Sequence, residues 1–149
     1  MPITIEETLA LSFTRLLPVK RRLGQTFYDR LFEQAPSLRR LFPESMALQQ
    51  EAFFSTLCAI VREAGHPEGL RPRLLALGER HAAYGAEAEH FGLVGDTLLE
   101  ALRETMPGGL SAVENAAWSE AIASVSETMI EGLEAERMRS SGPVRAARP

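Results

Sequence analysis

Apolar residues recur at spacings of three and four along almost the whole chain, and the strict alternation that marks strands is nearly absent. An apolar stripe of that period must be buried against another such stripe, so the chain is expected to be all-α. Its 149 residues suffice for one domain with a real core.

The periodicity predicts a first helix over residues 4–17, with Thr4 as N-cap and Glu7 as its capping-box partner. A second, over 18–34, starts at Pro18, where the missing N–H costs little, and carries Leu23, Phe27, Leu31 and Phe32 on one side. Residues 36–42 read as an extra turn or two, ended by Pro43. Further helices are expected over 45–64, stopped by Gly65-His66-Pro67, and over 70–84, with Gly85 as the C′ glycine. A sixth element covers 89–106. After the Pro107-Gly108-Gly109 turn, Ser111 and Glu114 form a second capping box for a last helix reaching residue 137. Residues 138–149 lack periodicity and are expected to be a disordered tail, leaving 1–137 as the folded domain.

The net charge of −4 gives no basic face for nucleic acid. The single cysteine, Cys58, is expected to be buried and inert, and it excludes an intrachain disulfide, which suits a reducing compartment. Glu6 and Glu7 stand where a secretory signal would carry basic residues, and no apolar run approaches the ~20 residues of a membrane span. The expectation is a cytoplasmic protein with no membrane contact.

Three histidines are present. His66 falls in a turn, and His90 lies at a helix start, where it caps or faces water. His81 ends the series Leu70, Leu74, Leu77, His81, whose spacing puts the imidazole on the buried stripe. Such a histidine is more often a packed core residue than a ligand, and only a polar face opposite it would reverse that reading. The helix over 45–64 offers one, with Met46, Gln49 or Gln50, Phe53, Leu57 and Ile60 at helical spacing. Tyr28 sits among Phe27, Leu31 and Phe32, and a buried phenol needs a partner. An inward Tyr, Gln and His around an aromatic core suit a pocket with a polar ligand at its centre.

Phe27-Tyr-Asp-Arg-Leu-Phe32 and Pro36-Ser-Leu-Arg-Arg-Leu-Phe42 resemble the second and third helices of bacterial single-domain globins and of flavohaemoglobin globin domains. Leu74-Leu-Ala-Leu-Gly-Glu-Arg-His81-Ala-Ala-Tyr-Gly85 resembles their proximal helix. His90-Phe-Gly-Leu-Val-Gly-Asp-Thr-Leu-Leu99 and Ala117-Trp118 resemble the two that follow. The likeness covers about residues 4 to 134, in register. It implies a globin fold of six to eight helices around haem b.

By that resemblance, His81 is the proximal iron ligand, its other N–H donating to a backbone carbonyl near Leu77. Tyr28 and Gln49, with Gln50 as fallback, match the pair that hydrogen-bonds bound O2. Phe42 matches the aromatic against the haem face, and Phe53 the apolar wall of the distal side. Phe91, Val94 and Leu98 line the proximal side, and Arg80 is expected at the surface. Two positions depart from the flavohaemoglobin pattern. Phe91 replaces a proximal tyrosine, and Leu133 stands where a glutamate would make the proximal imidazole more basic, with Glu131 and Glu134 nearby but turned elsewhere.

The leading functional expectation is reversible binding of O2 for storage, delivery or sequestration, with CO and NO as further ligands. NO dioxygenation is the enzymatic alternative and would need an external reductase, since no reductase domain follows the last helix. A gas sensor would need an output domain. A regulatory module without cofactor would have no use for His81, Phe42 and Tyr28 together. A monomer or homodimer is expected.

Overall fold

The computed structural model describes residues 3–141, among which every regular element is helical. In chain order these are α1 (Ile5–Leu16), a 3-10 turn (Leu17–Val19), α2 (Lys20–Gln34), a 3-10 segment (Pro36–Leu41), α3 (Ala47–Arg62), α4 (Pro67–Ala83), α5 (Ala88–Thr105) and α6 (Ala112–Ser140). No described helix is long and apolar enough to cross a membrane.

Both capping boxes form as the sequence indicates, Thr4 with Glu7 and Ser111 with Glu114, so each helix start satisfies two backbone N–H groups locally. Gly85, Gly108 and Gly109 have φ of +90°, +81° and +72° and make the two turns that flank α5. Pro18 falls in the 3-10 turn, so α2 begins at Lys20 rather than at the proline.

The larger departure is at α4, which begins at Pro67 instead of residue 70. α3 ends at Arg62, with Glu63 as its C-cap, ahead of the expected stop at Gly65-His66-Pro67, and a proline's fixed φ suits the first position of the next helix. Pro72 is then carried inside α4. At the other end of the chain, α6 runs through 138–140, which were expected to be tail, while residues 142–149 lie outside the described residues.

Two apolar clusters fill the interior. The larger joins α1, α2, α3, α5 and α6 through Leu9, Leu16, Leu23, Phe27, Leu31, Leu57, Leu102 and Trp118. Trp118 is fully buried, and its indole N–H donates to Ser12 Oγ at 2.9 Å, so the polar atom goes under with a partner. The smaller cluster joins α4, α5 and α6 through Leu70, Leu74, Phe91, Met129 and Leu133.

α4 and α6 come into backbone contact at two glycines. A Cβ on Gly78 would stand 2.0 Å from the Met129 carbonyl oxygen, and one on Gly132 would stand 2.2 Å from that of Leu75. Neither position tolerates a side chain without moving the helices apart. This crossing fixes α4 three residues before His81.

Candidate functional site

His81 lies in the last turn of α4, half-buried, with Nδ1 2.7 Å from the Leu77 carbonyl oxygen. That contact makes Nδ1 the N–H donor and leaves Nε2 with its lone pair free. Burial pushes the imidazole below its ordinary pKa; the Leu77 hydrogen bond opposes that, and the Arg80 guanidinium adds to it. The ring is therefore neutral near pH 7, the form that can ligate a metal.

The Phe91 ring lies 5.7 Å from the imidazole, and Tyr84 meets it edge-on at the same distance from the exposed side. Leu133 is fully buried in the cluster that holds Phe91. Glu131 is exposed and paired with Arg71, and Glu134 is exposed. Among the described residues, the Leu77 carbonyl is the sole hydrogen-bond partner of the His81 imidazole. Arg80 is at the surface, and Cys58 is half-buried rather than buried as its apolar neighbours suggested.

On α2, Tyr28 is 5% exposed and enclosed by aromatic rings. Phe27, Phe42 and Phe53 stand 4.8, 5.7 and 5.7 Å from it in edge-to-face geometry, and Phe32 stands 6.0 Å away. Its hydroxyl accepts a hydrogen bond from Gln49 Nε2 at 3.0 Å. The neighbouring Gln50 turns instead toward Gly24. Burial raises the Tyr28 pKa, against a smaller opposing effect of the Gln49 hydrogen bond, so the phenol keeps its proton. With one lone pair taken by Gln49, the O–H remains to donate.

The two sides meet along α5. Phe91 packs in the cluster beside His81, whereas Val94 and Leu98 pack in the cluster that contains Tyr28. Around this seam the apolar Leu41, Phe42, Met46, Phe53, Leu77 and Val94 are all only partly buried. A flat apolar group would cover such surface. Among the described residues no three His, Cys, Asp or Glu side chains come together, so a bare ion finds no ligand set. One neutral imidazole suits a metal whose remaining ligands arrive with a ring, and on that ground these residues fit haem.

Gln49, Phe42 and Phe53 come together around Tyr28, and Leu77 and Phe91 stand against His81, whereas Val94 and Leu98, expected beside Phe91 on the proximal side, pack with the Tyr28 cluster instead. The two packing glycines, Gly78 and Gly132, were missed, because an isolated helical glycine reads only as a weak point. His90, left open between capping and solvent, caps. Its Nδ1 accepts the Glu87 backbone N–H at 2.9 Å.

Comparison with known proteins fits this geometry. The globin family model matches residues 25–129. The flavohemoprotein of Chromobacterium violaceum is 32% identical over 111 residues, covering 72% of this chain and 28% of that protein. That of Vibrio cholerae is 27% identical over 132 residues, covering 85% and 34%. The chain thus spans about a third or less of the length of these curated relatives. In fold it is similar to a bacterial globin from Campylobacter jejuni, with a TM-score of 0.72 and 19% identity over 87% of this chain and 96% of that one. An engineered carbene transferase from Rhodothermus marinus gives a TM-score of 0.81 and 24% identity over 93% and 96%. With most of its length matched by the family model, the chain belongs to the globin family.

Proposed function

We propose that this globin holds haem b through His81 Nε2 and binds O2 reversibly on the face toward Tyr28. The observation that carries the reading is the pairing of two complementary walls, a neutral imidazole with a free lone pair and a buried phenol with a free proton. Haem held there by His81 would supply an iron able to bind a diatomic gas. Tyr28 donates to a polar gas in a low-dielectric pocket, where such a bond counts for more than in water. Gln49 holds the phenol in place through its own N–H, and Phe42 and Phe53 keep water out. Leu77 fixes the imidazole plane.

A second reading is NO dioxygenation, favoured by the flavohemoprotein relatives. Each turnover converts NO, O2 and one electron to nitrate, so a reductase would have to supply that electron. The apolar proximal side, with Phe91 and Leu133, weighs toward gas holding, because among the described residues no carboxylate hydrogen-bonds the His81 imidazole. The same reading keeps residues up to the end of α6 as one globin unit, working in the cytoplasm as a monomer or homodimer.

Haem reconstitution followed by O2 release in a stopped-flow instrument separates the two. Slow O2 release, with autoxidation slower still, is expected. Rapid nitrate production with a flavin reductase and NADH, many turnovers per chain, would favour the second reading.

A further inference from the structure

Just beyond His81 the chain turns through Gly85 into Ala86 and Glu87, and this corner is tied to the far end of α6. Arg137 Nη1 donates to the Glu87 carboxylate at 2.7 Å, and Nη2 donates to the Ala86 carbonyl oxygen. Ala86 is buried, and its own N–H donates to the His81 carbonyl oxygen at 3.0 Å. Glu87 is the N-cap residue of α5, held there by its backbone N–H to His90. One guanidinium thus serves the end of α4 and the start of α5.

We propose that Arg137 is a positioning residue for His81, acting through Ala86. This rests on the reading that His81 holds haem. The last carbonyls of a helix have no partners within it, and a final turn left unpaired frays. The His81 carbonyl accepts from the Tyr84 N–H at 3.2 Å and, more closely at 3.0 Å, from the Ala86 N–H, which belongs to a residue whose carbonyl Arg137 grips. Releasing Arg137 frees the Ala86–Glu87 peptide to rotate, and the last turn of α4 loosens around the imidazole. Only a planar fork with several donors reaches both acceptors at once. Arg15 clamps the turn between α5 and α6 in the same way, holding the Glu114 carboxylate and the Pro107 and Gly109 carbonyls, whereas other ion pairs are simpler. Arg30, for example, meets Glu104 through the carboxylate alone.

The test compares Arg137→Ala and Arg137→Lys with Arg30→Ala as ferrous, ligand-free haem proteins. Two quantities are read, the iron–histidine stretching band by resonance Raman and the rate of haem transfer to excess apomyoglobin. Arg137→Ala is expected to broaden and shift the band and to raise haem loss about tenfold, as removing a group behind a metal ligand commonly does. Arg137→Lys, keeping the charge on a single donor nitrogen, should fall between it and the wild type, and Arg30→Ala should leave both readings unchanged. A wild-type band with wild-type haem loss in Arg137→Ala, or changes no larger than those in Arg30→Ala, overturns the role of Arg137 and leaves the haem reading standing. A wild-type protein that takes up no haem overturns the haem reading, and the positioning role with it.

Discussion

The Gln49 amide donates one of its two N–H groups to the Tyr28 hydroxyl at 3.0 Å, which orients the phenol and leaves its own proton free to donate. Their roles are therefore unequal. Tyr28→Phe should speed O2 release by about tenfold or more, since one such hydrogen bond is worth about 1.4 kcal/mol. Gln49→Leu should have a smaller effect, because it frees the phenol to turn without deleting it. CO release should change little in either variant. Stopped-flow dissociation checks this, and a larger effect for Gln49→Leu would assign the direct contact to the glutamine.

The buried phenol should also betray itself on titration. Burial raises the Tyr28 pKa, so the neutral form is favoured by folding. A pKa raised in the folded state contributes stability that is fully present below the unfolded value and lost as pH rises through the folded one. The tyrosinate absorbance step that disappears in Tyr28→Phe should lie above the ordinary tyrosine value, and alkaline unfolding should begin with it. A step at or below the ordinary value would mean that the phenol is solvated.

At the α4–α6 crossing the glycines serve packing and not flexibility. Gly78→Ala should lower stability by about 1–3 kcal/mol, because a methyl group would meet the Met129 carbonyl. Gly92, in α5, has nothing within 4 Å of a built Cβ. Gly92→Ala should therefore be neutral or stabilising by up to about 1 kcal/mol, through helix propensity alone. Opposite signs in thermal unfolding are expected, and a loss of similar size in both would reduce the Gly78 contact to a propensity effect.

The proximal side carries its own prediction. With the Leu77 carbonyl as the only partner of its ring among the described residues, His81 should be a neutral imidazole ligand. The iron–histidine stretching band of the ferrous protein should then fall where O2-carrying globins have it. A markedly higher band, as in peroxidases, would mean that a carboxylate reaches the imidazole and would promote the enzymatic reading.

Features set by local chemistry were legible in the sequence. The capping boxes at Thr4 and Ser111, the turn at Gly85 and the Leu77 carbonyl behind His81 each depend on residues within one helical turn. What was hidden depends on partners far along the chain. Gly78 acquires meaning only opposite Met129, and Arg137 only opposite Ala86. Pro67 signals both an end and a beginning, and periodicity does not say which dominates. The choice between Gln49 and Gln50 is a rotation of about 100° around the helix axis, within the width of the apolar stripe. The backbone of α3 decides it.

The central claim is that His81 holds haem, and haem titration of the purified chain tests it most directly. The wild type should take up one haem per chain, with a sharp Soret band and a matching pyridine haemochrome. His81→Gly should lose stable binding and regain the ferrous spectrum when free imidazole is added to fill the gap. A wild-type chain that stays colourless, or a His81→Gly chain that retains haem with an unchanged spectrum without imidazole, would contradict the account.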